Sequence, residues 1–318
     1  MPPWMGGSSN TFTATNQKLR TEAAMAHSPR SSGSIPIRLV TLNIRYATRN
    51  LAPGEEPWSV RCPRLCAQLK FITSGHDSVF VCLQEALHSQ LTDIQARLGP
   101  SWSHIGQGRD DGKQAGEHSP IFFRADRWEC NRSRTYWLSE TPDTPSKGWD
   151  AVCTRIATVG SFRHRETGAA VVIMSTHLDH QGEVAREESA RLLLKLASAW
   201  SNPCTPLFLG GDFNSTPTGR AYKILAAPGS GMRDVSELVP DDAKYGNPHI
   251  TYTSFGQPDE KPGRIDFLFV QNPQSLKFST FSILPNRFDD QVYLSDHRPV
   301  VADVGLPDPY VSRLRSAL

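Results

Sequence analysis

The sequence lacks any run of about 18 consecutive apolar residues, so no segment is long enough to cross a bilayer as a helix. Its N-terminus also lacks the compact apolar core of a secretory signal peptide. We therefore expect an intracellular protein, and most simply a cytoplasmic one. Residues 1–34 are rich in Ser, Thr, Ala and Gly and carry one acidic residue, Glu22. This composition predicts a disordered tail, with a mitochondrial presequence as the alternative.

Charge of one sign is not in excess, because 34 Lys and Arg stand against 32 Asp and Glu. A protein that coats nucleic acid normally carries a visible basic excess, whereas an enzyme that binds a phosphate through a metal needs none. Cysteine is also sparse: six residues are scattered between Cys62 and Cys204, without the spacing of a zinc finger. We expect reduced and mostly buried thiols.

Short apolar runs, each followed by a polar cluster, recur along the chain and are typical of strands buried on both faces. These runs cover residues 35–44, 79–83, 169–175, 206–209, 265–270 and 299–304. Helical patterns fall at residues 58–72, at 183–200 and after Pro217. We expect one domain over residues 35–306, followed by a tail over 307–318. Its strands should form two sheets packed face to face, with the helices outside.

Acids, amides and histidines lie in or at the ends of these apolar runs, where they are costly unless they are paired or bind a metal. Several such positions together predict one convergent site. They are Asn43 in TLNIR, Glu85 in CLQEA, His177 in STHLDH, Asp212 and Asn214 in GGDFNS, Asp266 in RIDFLF, and Asp296 and His297 in LSDHRPV.

This set of residues suits metal-assisted attack of water on a phosphate. Glu85, helped by Asn43, offers the oxygen ligands that a hard divalent cation prefers. Asp212 can orient or deprotonate the water, and Asp266 can hold the tautomer of His297 while that histidine stabilises the developing charge. Each cluster alone has an ordinary structural explanation, such as a turn for GDFNS or a core acid for Asp266. Together these explanations would require several unrelated coincidences.

In this order the motifs resemble the endonuclease/exonuclease/phosphatase superfamily. That superfamily includes pancreatic deoxyribonuclease, abasic-site endonucleases, deadenylase-type exonucleases, sphingomyelinases and inositol polyphosphate 5-phosphatases. The resemblance covers residues 35 to about 305. It implies a four-layer α/β sandwich of two mixed sheets with flanking helices, Mg²⁺ or Mn²⁺ as cofactor, and in-line attack of water. It also implies a metal site of Asn43, Glu85 and Asp296, and catalytic roles for His177, Asp212, Asn214, Asp266 and His297.

The branch of the superfamily is less clearly marked. The segment GDFNSTPTGRAYKIL is similar to the deadenylase-type exonucleases, and LSETP with KGWD resembles an uncharacterised, mostly microbial subfamily. Arg155 follows that segment and is expected to reach a substrate phosphate, with a surface salt bridge as the alternative. His118, beside the apolar run SPIFF, is expected to line the pocket.

The leading hypothesis is a metal-dependent phosphoesterase that cleaves phosphodiester bonds in nucleic acid, in the manner of an exonuclease. Single-stranded RNA or DNA is the expected partner, and no obligate protein partner is expected. The first alternative is a phosphatase or phosphodiesterase of a small-molecule or lipid head-group phosphate. The second is a non-catalytic binding protein on the same fold.

Overall fold

The computed structural model describes residues 34–202 and 205–307. The tails expected at residues 1–34 and 307–318 therefore lie outside the described residues, apart from Ser34 and Pro307, and so does Cys204. Within the described ranges, no helix has the length and apolar character to cross a membrane. The five described cysteines are free thiols, and Cys62, Cys66 and Cys82 are buried.

The described residues form thirteen strands and four α-helices. In chain order they are β1 (Ser34–Asn43), α1 (Trp58–Thr73), β2 (Val79–Gln84), α2 (His88–Leu98), β3 (Trp102–Ile105), β4 (Ile121–Arg124), β5 (Trp128–Trp137), β6 (Ile156–His164), β7 (Ala170–His177), α3 (Glu183–Trp200), β8 (Leu207–Asp212), α4 (Arg220–Leu225), β9 (Met232–Asp234), β10 (Lys244–Gly246), β11 (Asp266–Gln271), β12 (Lys277–Ile283) and β13 (Val300–Pro307).

The strands form two mixed sheets. The first has the order β10-β12-β13-β1-β2-β4-β3, and the second has the order β5-β6-β7-β8-β11-β9. The central pairs β1–β2 and β7–β8 are parallel, while β13 and β11 run antiparallel to β1 and β8. The carboxyl ends of β1 and β2 therefore meet at one edge of the first sheet, and those of β7 and β8 meet at one edge of the second.

The core lies in three layers, because the central strands are apolar on both faces. In β1, Ile37 and Leu39 pack between the two sheets, while Val40 and Leu42 pack under α1 and α2. In β7, Ile173 faces the other sheet, and its neighbours on the strand pack under α3 and α4. Helix, sheet, sheet and helix stack in that order. The predicted four-layer α/β sandwich is confirmed.

Candidate active site

The polar residues expected to converge do converge, at the edge where the ends of the central strands meet. Strand register sets His177 beside Asp212, and Asp212 beside Asp266. Asn43 ends β1, and one hydrogen bond from Asn43 Nδ2 to Asp212 Oδ2 (3.0 Å) joins the two sheets. His177 and Asp212 border a cavity of about 580 Å³, and Asn43 and Asp266 lie directly behind them. Its lining is Arg45, Tyr46, Glu85, Arg109, Glu117, Cys153, Arg155, His177, His180, Asp212, Asn214, Tyr252, Glu260, Ile265, Asp296 and His297.

An acid–histidine pair lies on one side of the cavity. His297 Nδ1 is 2.8 Å from Asp266 Oδ2, and Nε2 is 3.7 Å from Asp212 Oδ2. Burial alone would lower the pKa of His297, but the charges of Asp266 and Asp212 outweigh it and raise this pKa well above the ordinary value. Burial, reinforced by the charge of Asp266, raises the pKa of Asp212 to about 7. A carboxyl with a pKa near neutrality can take a proton from water.

His177 is held in the opposite protonation state. Burial and the adjacent charge of Arg155 lower its pKa well below the ordinary value, so the ring is neutral. Arg155 Nη1 donates to Nδ1 (2.9 Å), which leaves the ring proton on Nε2. Nε2 lies 3.5 Å from Asp212 Oδ2 and 3.1 Å from Asn214 Nδ2. The Nε2–H group can therefore donate to Asp212 Oδ2 or to a ligand oxygen in its place, while Asn214 Nδ2, itself a donor, bonds to the carbonyl of Leu178 (3.0 Å).

Oxygen ligands cluster on the other side of the cavity. Glu85 Oε1 accepts from Asn43 Nδ2 (2.9 Å) and Oε2 accepts from the backbone N–H of Tyr46 (3.1 Å). Burial would raise the pKa of Glu85, but the hydrogen bond from Asn43 and the charge of His297 lower it. Burial, with a further contribution from the charge of Glu85, raises the pKa of Asp296. The two carboxylates repel each other, and a divalent cation between them would relieve that repulsion.

Asn43 turns its nitrogen, not its oxygen, toward these carboxylates. Its Oδ1 accepts from the backbone N–H of Arg45 (2.9 Å). Asn43 was expected to supply an oxygen ligand, whereas this orientation makes it a donor that positions Glu85 and Asp212.

Two site residues hold left-handed backbone conformations, which non-glycine residues seldom adopt. Glu85 has a φ of 60° immediately after β2, and Asn214 has a φ of 44° two residues after β8. Each conformation turns a side chain into the cavity directly beyond a strand end. Backbone strain of this kind concentrates at functional sites.

Two groups of three side chains near this edge bring possible metal-ligand atoms within 4.8 Å of one another. One group is Asp212, Asp266 and His297, and the other is Cys153, Asp179 and His180. In the first group the imidazole is already bonded to Asp266. In the second, Arg155 Nη2 donates to His180 Nδ1 (3.0 Å) and Arg155 Nε lies 3.5 Å from Asp179 Oδ2. The positive charge of the guanidinium beside these atoms disfavours a metal cation there.

The two residues expected to contact the substrate, Arg155 and His118, lie in different environments. Arg155 is buried in the cavity wall and is not a surface ion pair, since its side chain is 6% exposed. His118 is buried away from the cavity: its ring Nδ1 lies 3.1 Å from the carbonyl oxygen of Ala86. The neighbouring Glu117 lines the cavity instead, because consecutive side chains on extended backbone point in opposite directions. Burial and the charge of Glu85 raise the pKa of Glu117 to about 7.

A family model described as the endonuclease/exonuclease/phosphatase family matches residues 40–297. The chain belongs to this family, whose members hydrolyse phosphoester bonds, and the resemblance drawn from the motifs is confirmed. Among curated protein sequences, none matches significantly.

Solved structures with the same architecture include two from Bacteroides. An endonuclease/exonuclease/phosphatase from Bacteroides vulgatus is 36% identical, with a TM-score of 0.76, over 85% of this chain and 99% of that one. A mannosyl-6-phosphatase from Bacteroides thetaiotaomicron is 32% identical, with a TM-score of 0.74, over 84% of this chain and 99% of that one. D. rerio TDP2, solved with a single-strand DNA product, shares the fold at 16% identity (TM-score 0.64; 85% of this chain and 98% of that one).

Proposed function

We propose that this protein is a divalent-cation-dependent phosphatase that hydrolyses the phosphomonoester of a small, hydroxyl-rich molecule, such as a sugar phosphate. The size and charge of the cavity carry the proposal. About 580 Å³ accommodates a ligand the size of a sugar phosphate. The 32% identity with a mannosyl-6-phosphatase, over nearly the whole of that chain, supports the same substrate class.

The arginines that line the cavity already have partners. Arg45 bonds to Glu55, Arg109 bonds to Glu117, and Arg155 bonds to His177 and His180. A groove for single-stranded nucleic acid instead combines unpaired basic groups with aromatic side chains that stack on bases. Cleavage of nucleic acid, the leading hypothesis from the motifs, therefore takes second place.

The residues fit a hard cation, because Glu85 and the buried Asp296 both line the cavity and the charge of Glu85 raises the pKa of Asp296. These two side chains would hold Mg²⁺ or Mn²⁺, with Asn43 orienting Glu85. When bound, the cation supplies Lewis acidity to the phosphoryl group and its leaving oxygen.

The protein's own side chains would carry the proton and charge chemistry. The oxygen of a water bonds to phosphorus as the ester P–O bond breaks, and Asp212 takes a proton from that water. His297, kept cationic by Asp266, and the Nε2–H of His177 stabilise charge on the phosphoryl oxygens, assisted by the Asn214 amide. The leaving alkoxide takes a proton from solvent.

A substrate screen tests the proposal. The full-length protein would be assayed with Mg²⁺, with Mn²⁺ and with chelator on mannose 6-phosphate, inositol monophosphate, p-nitrophenyl phosphate and single-stranded oligonucleotides. We expect metal-dependent release of inorganic phosphate from the sugar phosphate, and no release by Asp212→Asn. Shortening of the oligonucleotide without turnover of any sugar phosphate would instead establish the nuclease hypothesis.

A further inference from the structure

A compact loop outside the strand-end motifs brings two charged side chains to the cavity. This segment, residues 106–117, forms most of the connection between β3 and β4 and is here called the 106–117 loop. Backbone hydrogen bonds fold it on itself, from Arg109 N to the carbonyl of Glu117 (3.0 Å) and from Asp110 N to that of Ala115 (3.1 Å). Asp111 Oδ1 accepts from two more backbone N–H groups, at 2.7 and 2.9 Å. The loop therefore has a defined conformation of its own.

The loop is also anchored to the second sheet. Trp137, buried at the end of β5, donates from Nε1 to the carbonyl of Arg109 (2.7 Å). Gly108 packs so closely against Ala115 that a Cβ at this position would overlap its carbonyl oxygen. Arg109 and Glu117 are thus positioned before any ligand arrives, which lowers the entropic cost of binding.

At the cavity wall these two side chains form one ion pair. Arg109 Nη1 donates to Glu117 Oε2 (2.6 Å), and each side chain is 15% exposed. Oε2 also lies 3.8 Å from His177 Nδ1 and 3.9 Å from Arg155 Nη1. Glu117 Oε1 accepts no hydrogen bond from residues in the described ranges. The pair is therefore adjacent to the groups expected to hold the phosphate, with acceptor capacity left unused.

The chemistry of the pair selects its ligand. When ionised, Glu117 repels a second phosphate, and Arg109 repels an amine. A neutral group that both donates and accepts hydrogen bonds satisfies a carboxylate and a guanidinium together, and hydroxyls do this. A sugar or other polyol presents such hydroxyls next to its phosphate ester.

We propose that Arg109 and Glu117 form a hydroxyl-recognition subsite that binds the alcohol portion of the substrate and determines specificity. This inference rests on the proposed phosphatase function. It assigns selection among phosphate esters to the 106–117 loop and leaves the chemistry to the strand-end residues.

The test compares an ester rich in hydroxyls with one that has none in its leaving group. Glu117→Gln and Arg109→Gln would be assayed on mannose 6-phosphate and on p-nitrophenyl phosphate. We expect kcat/KM for mannose 6-phosphate to fall by about tenfold or more, mainly through KM, because a charged hydrogen bond to substrate is lost. The loss for p-nitrophenyl phosphate should be smaller, so that the ratio of kcat/KM for mannose 6-phosphate to kcat/KM for p-nitrophenyl phosphate falls by at least about fivefold. Lys113→Gln changes an exposed side chain on the same loop and should alter neither activity.

Two other outcomes overturn the inference alone, and a third overturns the proposed function. Equal losses on both esters, at matched melting temperature, would show that the pair serves the reaction centre and would overturn the inference. Unchanged kinetics on both esters would overturn it as well. If wild-type protein hydrolyses p-nitrophenyl phosphate but no sugar or polyol phosphate, the proposed function fails and the inference fails with it.

Discussion

Asn43 donates from one amide nitrogen to carboxylates that belong to different sheets, Glu85 at 2.9 Å and Asp212 at 3.0 Å. The backbone N–H of Arg45 occupies the amide oxygen and so determines which end of the group faces the acids. One side chain thereby sets the separation between the carboxylate proposed to hold the cation and the one proposed to act on water.

Asn43→Asp should impair both cation binding at Glu85 and the action of Asp212 on water, although the side chain keeps its size. It exchanges two donated hydrogen bonds for a third negative charge beside Glu85 and Asp212. We expect kcat to fall by about 100-fold. The acidic limb of the pH–rate profile should move to higher pH, because the added charge raises the pKa of Asp212. Profiles at saturating metal would measure this. Asn50→Asp makes the same change at an exposed position and serves as the control.

Asp212→Asn should remove activity and stabilise the metal-free protein, with a defined dependence on pH. The folded pKa of Asp212 is about 7, above the value of about 3.9 for an unfolded carboxyl. Its ionisation therefore opposes folding increasingly as pH rises between these two values. We expect the melting temperature of the variant to exceed that of wild type by more at about pH 8 than at about pH 4. A gain that is the same at both pH values would contradict the pKa shift.

Asp303→Asn is the matching substitution at a carboxyl whose pKa is lowered in the folded protein, so its expected effect on stability has the opposite sign. Burial would raise the pKa of Asp303, but hydrogen bonds from Arg38 and Thr280 lower it. Its contribution to stability is therefore present above the unfolded pKa and is lost as pH falls through the folded one. This variant should melt below wild type at about pH 8, and the difference should shrink in acid.

Asp266→Asn should weaken the positive charge on His297 while leaving the imidazole in its place. The imidazole keeps a hydrogen-bond partner, but it loses the nearest of the charges that raise its pKa. We expect the pKa of His297 to fall and kcat to fall by about 100-fold or more. Ring resonances followed by NMR across pH would measure the first effect in metal-free protein. A titration of His297 that matches wild type would contradict the assigned coupling.

The strands that carry the site could be predicted from sequence because both of their faces are buried. In β1 and β7, apolar residues on either face make continuous runs, and the polar residues that follow stand out. Strand β5 could not be predicted in this way. Its sequence WECNRSRTYW is largely exposed in the middle, and β5 lies at a sheet edge with β6 as its ladder partner. Helix α2 was missed because it buries only Gln90, Leu91 and Ile94.

The site residues likewise fall into those that a strand pattern could locate and those that it could not. Those at strand ends, such as His177 and Asp212, could be located because the carboxyl ends of the parallel strands β7 and β8 lie side by side. Arg109 reaches the cavity through the fold of the 106–117 loop, which no periodicity predicts. From the sequence His118 was expected to line the cavity, whereas the structure places Glu117 there. Choosing Glu117 over His118 required the direction of the strand, and that direction depends on tertiary pairing.

Arg61 joins, through hydrogen bonds, the chain segments on either side of Glu85 and Asp296, the carboxylates proposed to hold the cation. It lies in α1 with a fully buried side chain. Its Nη1 donates to the carbonyls of Ile44 (2.8 Å) and Leu294 (2.9 Å), while Nε and Nη2 donate to those of Glu56 (2.9 Å) and Arg45 (3.0 Å). These carbonyls flank the segments that bring Arg45 and Asp296 to the cavity.

Arg61→Met should therefore destabilise the fold far more than loss of a neighbouring arginine. It leaves four carbonyl groups without this donor and removes the guanidinium 3.7 Å from the buried Glu55 carboxylate, so we expect a loss of about 3–5 kcal/mol in the free energy of unfolding. Arg64→Met, one turn along α1, breaks only an exposed, solvent-screened pair with Asp290 and should change the free energy of unfolding far less. Arg61→Lys should retain part of the stability, because one ammonium cannot reach all four carbonyls. Urea denaturation of the three variants would measure this order of stability. Equal losses in the free energy of unfolding for Arg61→Met and Arg64→Met would show that the helix surface matters rather than the carbonyl contacts of Arg61.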